Sequence, residues 1–327
     1  MEKIAIIDIG SNTARLVIAS ILEGGYFIVI DELKEPVRLA QDMEGDGYLR
    51  PLRIQQMIRT LNTFKNLYES HNVSKVFAYG TAAVRRAKNQ KSFVDDVLSS
   101  CGIRLTVLAQ EEEASLVYTG VINSMDAPKG LIVDIGGGST KIIYYNRRTM
   151  IAQDTLPFGA VTLSEKYQNV ESPEERMELM EEYAGRAIDN LEWFKTIDMD
   201  IQFIGVGGSL RNLGKISRKA RRYPLDMAHN YRIPFSEFDA IYSKIKTMDY
   251  DRAFKIKGLS STRVDIFPAA LAILNAMKQR LDFSEIVISG AGFREGVMFR
   301  YSVPTTAEKP ISDVLGHSIY TMLTHFD

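Results

Sequence analysis

Two stretches of the chain share one pattern of apolar and polar positions. In each, a short apolar run enters an acidic turn rich in Gly, Ser and Thr, and a second apolar run follows at once, over residues 4–20 and 131–145. The acidic positions Asp8 and Asp134 match, so the repeat has an offset of 126 residues. Runs of this length around a glycine-bearing turn predict β-hairpins whose strands lie in a buried sheet. The repeat therefore predicts two similar α/β domains.

Apolar positions with helical spacing occur between and after the hairpins. Residues 54–68 predict an amphipathic helix that begins near Pro51. Ser172-Pro173-Glu174-Glu175 has the spacing of a helix start and predicts a long helix to about Lys195. Further helices are predicted at 111–121 and 266–277, and strands at 75–79, 105–108, 202–206 and 285–288. A polar Pro/Gly segment at 123–130 predicts the boundary between an N-terminal domain, 1–123, and a C-terminal domain, 124–327.

Composition narrows the class of protein. The 327 residues are 45% hydrophobic and 25% charged with a net charge of -1, which is typical of a globular protein and not of a disordered polyelectrolyte. This charge balance argues against a nucleic-acid partner, which usually needs a basic domain. No signal peptide and no apolar run of 18 residues is visible, so no membrane segment is expected. The single cysteine, Cys101, fits a cytoplasmic location, and the four histidines lack a zinc-ligand spacing.

Four turns rich in Gly, Ser and Thr follow apolar strands, at 8–13, 134–140, 205–209 and 289–292. Glycine lets the backbone approach a phosphate closely, while hydroxyl groups add hydrogen-bond donors. An Asp at the start of a turn could hold a divalent cation beside that phosphate. Any one such turn is more often a tight hairpin without a ligand. The four together favour a phosphate-binding cleft.

The motifs behind these turns occur in a specific order. They are D-I-G-S-N-T-x-R-L at 8–16, T-A-A-V-R-R-A-K-N at 81–89, E-E-A at 112–114, D-I-G-G-G-S-T at 134–140, G-V-G-G-S at 205–209 and S-G-A-G-F-R-E-G-V at 289–297. The set closely resembles the exopolyphosphatase / guanosine pentaphosphate phosphohydrolase family. That resemblance implies two actin-like domains of the actin–hexokinase–Hsp70 superfold around an interdomain cleft. Longer members carry an extra C-terminal domain, so the chain is expected to be the short, two-domain form.

The resemblance implies hydrolysis of a terminal phosphoanhydride bond. Glu113 matches the family's catalytic glutamate, although the residues alone do not choose among Glu111, Glu112 and Glu113, which also suit a helix N-terminus. Asp134, with Asp8 in the equivalent turn, matches the metal-associated aspartate, so Mg²⁺ is expected there. Arg85 matches a phosphate-binding arginine, and the expected phosphate contacts also include Ser11, Asn12, Thr13, Gly136, Gly137, Gly138, Ser139, Gly207, Gly208 and Ser209.

Two departures from the family pattern affect the expected site. Lys141 stands where the family usually has a metal-associated glutamate, and Ser115 stands where relatives often have Arg. A lysine does not bind Mg²⁺ but can pair with a phosphate as a point charge. We interpret this as a modified grip on metal or substrate rather than a dead site.

One dense basic run offers a candidate surface for a polyanion. Together with Lys141, the candidate residues are Lys215, Arg218, Lys219 and Arg222. A solvated helix face is the simpler interpretation of the same run. Arg263 and Asp265 could form a structural ion pair or contact the substrate, and both alternatives stay open.

The sequence therefore predicts an exopolyphosphatase that releases orthophosphate from the end of inorganic polyphosphate with Mg²⁺, in a cleft where Asp8 and Asp134 lie near Glu113. Three alternatives stay open: the 5′-phosphohydrolase of guanosine pentaphosphate (pppGpp), a phosphoryl-transfer kinase of the same superfold, and a non-catalytic regulator that binds polyphosphate or an alarmone. Whether the protein forms a homodimer is left open.

Overall fold

The computed structural model describes residues 1–22, 26–43, 45–197, 200–302 and 311–323. Its contacts divide the chain into two compact units, one of Met1–Asp126 with Ala291–Asp327 and one of Ala127–Gly290. The first break lies three residues beyond the domain boundary expected after residue 123. Unlike the expected division, the chain returns to the first unit at Ala291.

The first unit is built on a five-stranded sheet in the order β3-β2-β1-β4-β5. Strands β1 and β2 form the antiparallel hairpin predicted from the sequence, and β4 and β5 continue the sheet in parallel from β1. The strands are β1 (Glu2–Ile9), β2 (Ala14–Ile21), β3 (Phe27–Glu35), β4 (Lys75–Gly80) and β5 (Leu105–Val107). The helices are α1 (Pro51–Ser70), α2 (Ala82–Arg86), α3 (Gln90–Cys101), α4 (Gln110–Ile122), α11 (Phe293–Ser302) and α12 (Val314–Leu323).

The second unit is built on a six-stranded sheet in the order β10-β11-β9-β6-β7-β8. Its strands are β6 (Lys129–Ile135), β7 (Thr140–Asn146), β8 (Thr149–Leu156), β9 (Gln202–Val206), β10 (Tyr231–Pro234) and β11 (Glu285–Ile288). The α-helices are α5 (Ala160–Lys166), α6 (Pro173–Asp189), α7 (Gly208–Ala220), α8 (Phe235–Lys246), α9 (Tyr250–Ala253) and α10 (Phe267–Lys278). Short 3₁₀ helices cover Glu192–Thr196 and Ser261–Arg263.

The two sheets repeat one topology, as the 126-residue offset predicts. In each, an antiparallel three-stranded meander comes first, and its first strand then takes a parallel partner at the other side. A second parallel strand follows, β5 in the first sheet and β11 in the second. The protein is thus a mixed α/β fold with two sheets, and its predicted fold class is confirmed at that level.

Helix α6 is shorter than the sequence pattern predicts. Ser172 caps its start as predicted, since its side chain accepts a hydrogen bond from the backbone N–H of Glu175. The helix ends at Asp189, however, and not near Lys195. Arg280 of the segment after α10 binds both carboxylate oxygens of Asp189, at 2.6 and 2.7 Å. This long-range ion pair lies at the end of the helix, and a separate 3₁₀ helix begins at Glu192.

The central strand of each sheet is buried on both faces. Ile4, Ile6 and Ile7 of β1 and Ile132 and Val133 of β6 are fully buried. Burial on both faces explains the continuous apolar runs, because helices cover both sides of such a sheet. Within the described ranges, no helix combines the length and apolarity that a membrane span requires.

Candidate active site

The candidate residues of the first unit lie where three parallel strands end. The backbone N–H of Thr81, directly after β4, donates to the Ile9 carbonyl at the end of β1 at 3.2 Å. The N–H of Leu108, after β5, donates to the Gly80 carbonyl at 3.0 Å. The carboxyl ends of β1, β4 and β5 are thus neighbours, and ligands of open α/β sheets bind at this kind of edge.

The first hairpin turn is tightly held. The N–H of Gly10 donates to the Thr13 carbonyl at 3.1 Å, and the side chains of Ser11 and Asn12 are buried. The Ser11 and Asn12 carbonyls accept hydrogen bonds from the N–H groups of residues 40 and 38. The carbonyls of the turn therefore support the segment after β3.

Asp8, the acidic residue of this turn, faces an arginine. Its Oδ2 lies 3.5 Å from Nη1 of Arg294, which is in the first turn of α11. Arg294 is 9% exposed, and its Nε is buried with no hydrogen-bond partner among the described residues. Arg294 lies in the S-G-A-G-F-R-E-G-V motif, but the sequence pattern did not indicate a role for it.

Glu113 and Arg85 form a buried ion pair. Nη1 of Arg85 donates to Oε2 of Glu113 at 2.9 Å and to the Leu108 carbonyl at 2.8 Å. The side chains are 8% exposed for Glu113 and 16% for Arg85. The guanidinium supplies the opposite charge that a buried carboxylate needs. Nε of Arg85 is buried and has no hydrogen-bond partner in the described chain, so it is an unsatisfied donor.

Burial separates Glu113 from its two acidic neighbours. Glu111 and Glu112 are exposed, and Glu112 lies 3.7 Å from Arg300. The three carboxylates share the first turns of α4, so the dipole of the helix favours all of them. Only Glu113 of the three points into the protein.

The equivalent turn of the second unit places Asp134 opposite Lys141. The two residues are cross-strand partners in β6 and β7, and Lys141 Nζ lies 3.5 Å from Asp134 Oδ2. Lys141 is 2% exposed, so it is a buried partner of Asp134 and not part of a surface patch. Lys141 therefore does not share an exposed surface with Lys215, Lys219 and Arg222.

The turn after β6 also positions a helix. The Gly136 carbonyl accepts from the N–H of Ala160, and the Gly137 carbonyl accepts from those of Val161 and Thr162. These N–H groups open α5, so the turn caps that helix. The turn itself is closed by the Gly136 N–H, which donates to the Ser139 carbonyl at 3.0 Å. Gly138 and Ser139 are buried.

A second turn adjoins Asp134 within the same unit. Gly207, at the end of β9, has a φ of 99°, and a Cβ there would lie 2.7 Å from the Ile135 carbonyl oxygen and 2.9 Å from Asp134 Oδ1. Only glycine fits this conformation and this approach. Helix α7 begins at Gly208, and Arg263 Nη1 donates to Ser209 Oγ at 3.4 Å. Arg263 thus lies against the expected phosphate turn.

The basic run divides in the structure. Arg218 is 6% exposed, lies 3.4 Å from Asp226 and stacks over the Tyr231 ring at 5.8 Å. Lys215, Lys219 and Arg222 are exposed. The run is therefore not one surface, since tertiary packing takes Arg218 out of it.

The side chains around Asp8 and Asp134 bear on the expected Mg²⁺ site. Each candidate aspartate already has a cation of this chain within 3.5 Å: Arg294 for Asp8 and Lys141 for Asp134. Among the described residues, no group of three or more His, Cys, Asp or Glu side chains is placed to hold a metal. The residues present do not fit a Mg²⁺ ion held by the protein alone, because such an ion needs several oxygen ligands.

Known proteins of similar sequence agree with the family that the ordered motifs indicate. The chain is 30% identical over 304 residues to the guanosine-5′-triphosphate,3′-diphosphate pyrophosphatase of Pseudoalteromonas atlantica, covering 91% of this chain and 58% of that protein. It is 25% identical over 302 residues to a Haemophilus influenzae protein named "Putative exopolyphosphatase", covering 91% of each. The chain thus spans little more than half of the first relative and most of the second.

Solved structures show the same fold. A crystal structure of an exopolyphosphatase from Cytophaga hutchinsonii has a TM-score of 0.87 at 23% identity, covering 94% of this chain and 99% of that one. The Aquifex aeolicus Ppx/GppA family member has a TM-score of 0.76 at 25% identity, covering 92% and 98%. Residues 17–303 match the Ppx/GppA phosphatase family, whose members are phosphoanhydride hydrolases. The chain therefore belongs to the Ppx/GppA phosphatase family.

Proposed function

We propose that this protein is an exopolyphosphatase that releases the terminal phosphate of inorganic polyphosphate, with Glu113 as the base that activates water. The buried ion pair of Glu113 and Arg85 carries the proposal. It places a carboxylate, a compensating cation and an unpartnered Arg85 Nε at the carboxyl edge of the first sheet. A buried carboxylate beside a phosphate-binding arginine suits in-line attack by water on phosphorus.

In the proposed step, Glu113 orients a water molecule and accepts its proton. The water oxygen forms a bond to the terminal phosphorus, and the bridging P–O bond breaks. The electron pair of that bond stays on the oxygen of the shortened chain. Nε of Arg85 donates to the phosphoryl oxygens, which stabilises the charge that they carry in the transition state.

The turns of the second unit support the same substrate class. Gly207, Gly208 and Ser209 open α7, and a helix N-terminus with glycine and serine favours a phosphate group. The Arg263 guanidinium against Ser209 adds a planar donor that suits phosphate oxygens.

Magnesium enters the proposal as an expectation to be tested and not as a step. When bound, Mg²⁺ would neutralise phosphate charge, and it is usually held by one or two carboxylates together with substrate phosphates. Asp134 and Asp8 are the carboxylates available for that, in competition with Lys141 and Arg294.

The alternative substrate is pppGpp, and the 30% identical P. atlantica relative favours it. The preference for polyphosphate comes from the H. influenzae relative, which this chain matches over 91% of both lengths. Both substrates end in a phosphoanhydride, so the proposed chemistry of Glu113 is the same for each.

The test is phosphate release from polyphosphate and from pppGpp in parallel, with and without Mg²⁺, for the wild type, Glu113→Gln and Glu111→Gln. General-base assistance contributes roughly 10²- to 10⁴-fold, so kcat of Glu113→Gln should fall by about that factor. Glu111→Gln removes the same charge from an exposed position and should keep the wild-type kcat. A loss below about threefold in Glu113→Gln contradicts its role.

The same assay separates the other candidates. Faster release from pppGpp than from polyphosphate reverses the choice of substrate. Formation of ATP when ADP is added would show that the protein transfers the phosphoryl group to an acceptor instead of hydrolysing the phosphoanhydride. Tight binding of polyphosphate or pppGpp without any release would make the protein a regulator.

A further inference from the structure

A surface cavity in the second unit lies at the opposite end of α7 from the Gly208 turn. It has a volume of about 460 Å³, and its apolar floor includes Ile216 of α7 and Ile256 of the segment after α9. Five cationic side chains line it, and we call them the basic basin: Lys219, Lys244, Arg252, Lys255 and Lys257. All ionisable side chains among the described lining residues are cationic.

Most of these charges are not neutralised by the protein. Arg252 lies 3.6 Å from Asp249. Among the side chains that the structure describes, no acidic group lies within ion-pair distance of Lys219, Lys244, Lys255 or Lys257. Elsewhere in this unit, in contrast, Arg221, Lys246 and Lys278 each have an acidic partner. Like charges that converge without partners destabilise the fold, so an anionic ligand would relieve them.

Helix dipoles do not explain the whole basic basin. Lys219 and Lys244 lie in the last turns of α7 and α8, where a cation stabilises the helix. Lys255 and Lys257 lie outside any helix. They are carried to α7 by the turn at Gly258, whose φ is 99° and where a Cβ would lie 2.9 Å from the Lys215 carbonyl oxygen. The backbone is therefore closely fitted at the place where it brings these charges together.

We propose that the basic basin binds phosphate groups of a polyphosphate chain, as a site separate from the turn that begins α7. This inference rests on the proposed function, from which it takes its ligand class. Gly208 and Lys219 are 11 residues apart on one helix, which is about 16 Å at 1.5 Å per residue. A long polyphosphate can follow this distance along one unit, while a short phosphate chain cannot reach both ends.

The lining of the basic basin favours polyphosphate over a nucleic acid. Single-stranded nucleic acids are held by aromatic side chains that stack on the bases as well as by charge. The described lining residues include no aromatic side chain. Charge without stacking surface matches a ligand that consists of phosphate alone.

The test compares Lys244→Gln/Lys255→Gln/Lys257→Gln with a control, Lys91→Gln/Arg186→Gln/Lys195→Gln. The control removes the same number of charges from exposed positions outside the basic basin. Binding of long-chain polyphosphate is measured directly by titration calorimetry, and phosphate release is measured with long-chain polyphosphate and with tripolyphosphate.

The basin variant should bind long-chain polyphosphate about tenfold more weakly than the control, since each exposed charge pair contributes modestly. Its KM for long chains should rise with kcat unchanged, and its kinetics on tripolyphosphate should match those of the control. Wild-type binding should weaken with added salt, because exposed charges are screened.

Equal affinity of the two variants for long-chain polyphosphate overturns the inference, even if phosphate release shows the proposed function to be correct. Weaker binding by the basin variant, in a protein that releases no phosphate, supports the inference and overturns the proposed function. Wild-type affinity for a single-stranded DNA oligonucleotide equal to that for polyphosphate overturns the assignment of the ligand.

Discussion

Lys141 lies beside one of the two aspartates expected to serve a metal. It is buried, and its Nζ lies 3.5 Å from Asp134 Oδ2, at the carboxylate expected to serve a metal. A tethered ammonium and a divalent cation compete for the same carboxylate oxygen, because each is attracted to it by charge. The sequence shows a lysine at position 141, but its ion pair with Asp134 depends on the cross-strand register of β6 and β7.

Lys141→Gln should therefore increase the response of the protein to Mg²⁺. Without Mg²⁺ the variant should be less stable than the wild type, because Asp134 loses its nearby cation. With saturating Mg²⁺ and tripolyphosphate, whose oxygens would supply further ligands, its Tm should rise by about 2 °C or more, while that of the wild type should rise less. Differential scanning calorimetry measures both values.

Lys129→Gln is the matched control, since Lys129 lies on the neighbouring strand β6 but pairs with the exposed Asp200. It should respond to Mg²⁺ as the wild type does. If the wild type and Lys141→Gln respond equally to Mg²⁺, the competition between Lys141 and the metal is refuted.

At the scale of elements, helix α4 carries Glu113 and packs against α11, from the C-terminal part of the chain. A Cβ at Gly120 of α4 would collide with the carbonyl oxygen of Gly292, directly before α11, and a Cβ at Gly296 of α11 would collide with the carbonyl oxygen of Leu116 in α4. The acidic first turn predicts α4, because it is a local feature of the sequence. The same feature does not indicate that α11, more than 170 residues later, packs against it.

Gly296→Ala should destabilise the protein by about 1–3 kcal/mol, the typical cost of overpacking a core. Gly214→Ala is a suitable control, because Gly214 also lies inside a helix but a Cβ there would be 3.4 Å from its nearest neighbour, an Ile288 side-chain carbon. It should be neutral or stabilising by up to about 1 kcal/mol, since alanine favours helix. Urea unfolding measures both, and equal stability of the two variants would contradict the close packing of α4 and α11.

At the scale of the molecule, the chain has one natural probe in each unit. Cys101, its single cysteine, lies in the first unit, and Trp193, its single tryptophan, lies in the second. Cys101 is 2% exposed, and burial raises the pKa of its thiol. The indole N–H of Trp193 donates to Asp154 at 3.0 Å. Each probe therefore reports on the unit in which it is packed.

The native protein should react slowly with a thiol reagent at pH 8, because only an exposed thiolate attacks it. Across a guanidinium gradient, thiol labelling and tryptophan fluorescence should give different midpoints, since each unit has a hydrophobic core of its own and multidomain proteins often depart from two-state unfolding. A Cys101→Ser variant controls for labelling. Coincident midpoints would show that the two cores unfold as one.

The sequence alone determined the hairpins, the duplicated topology and the family, since apolar runs, glycine turns and ordered motifs are local features of the chain. The interdomain cleft, with Asp8 and Asp134 near Glu113, stays a prediction. Only the tertiary structure decided that Glu113 rather than Glu111 or Glu112 is buried. It also decided that Arg294 lies beside Asp8 and Lys141 beside Asp134, and that Arg218 is buried while the other residues of the basic run are exposed. These outcomes depend on side chains brought together from distant parts of the chain, and charge pairing and burial between them leave no periodic signal in the sequence.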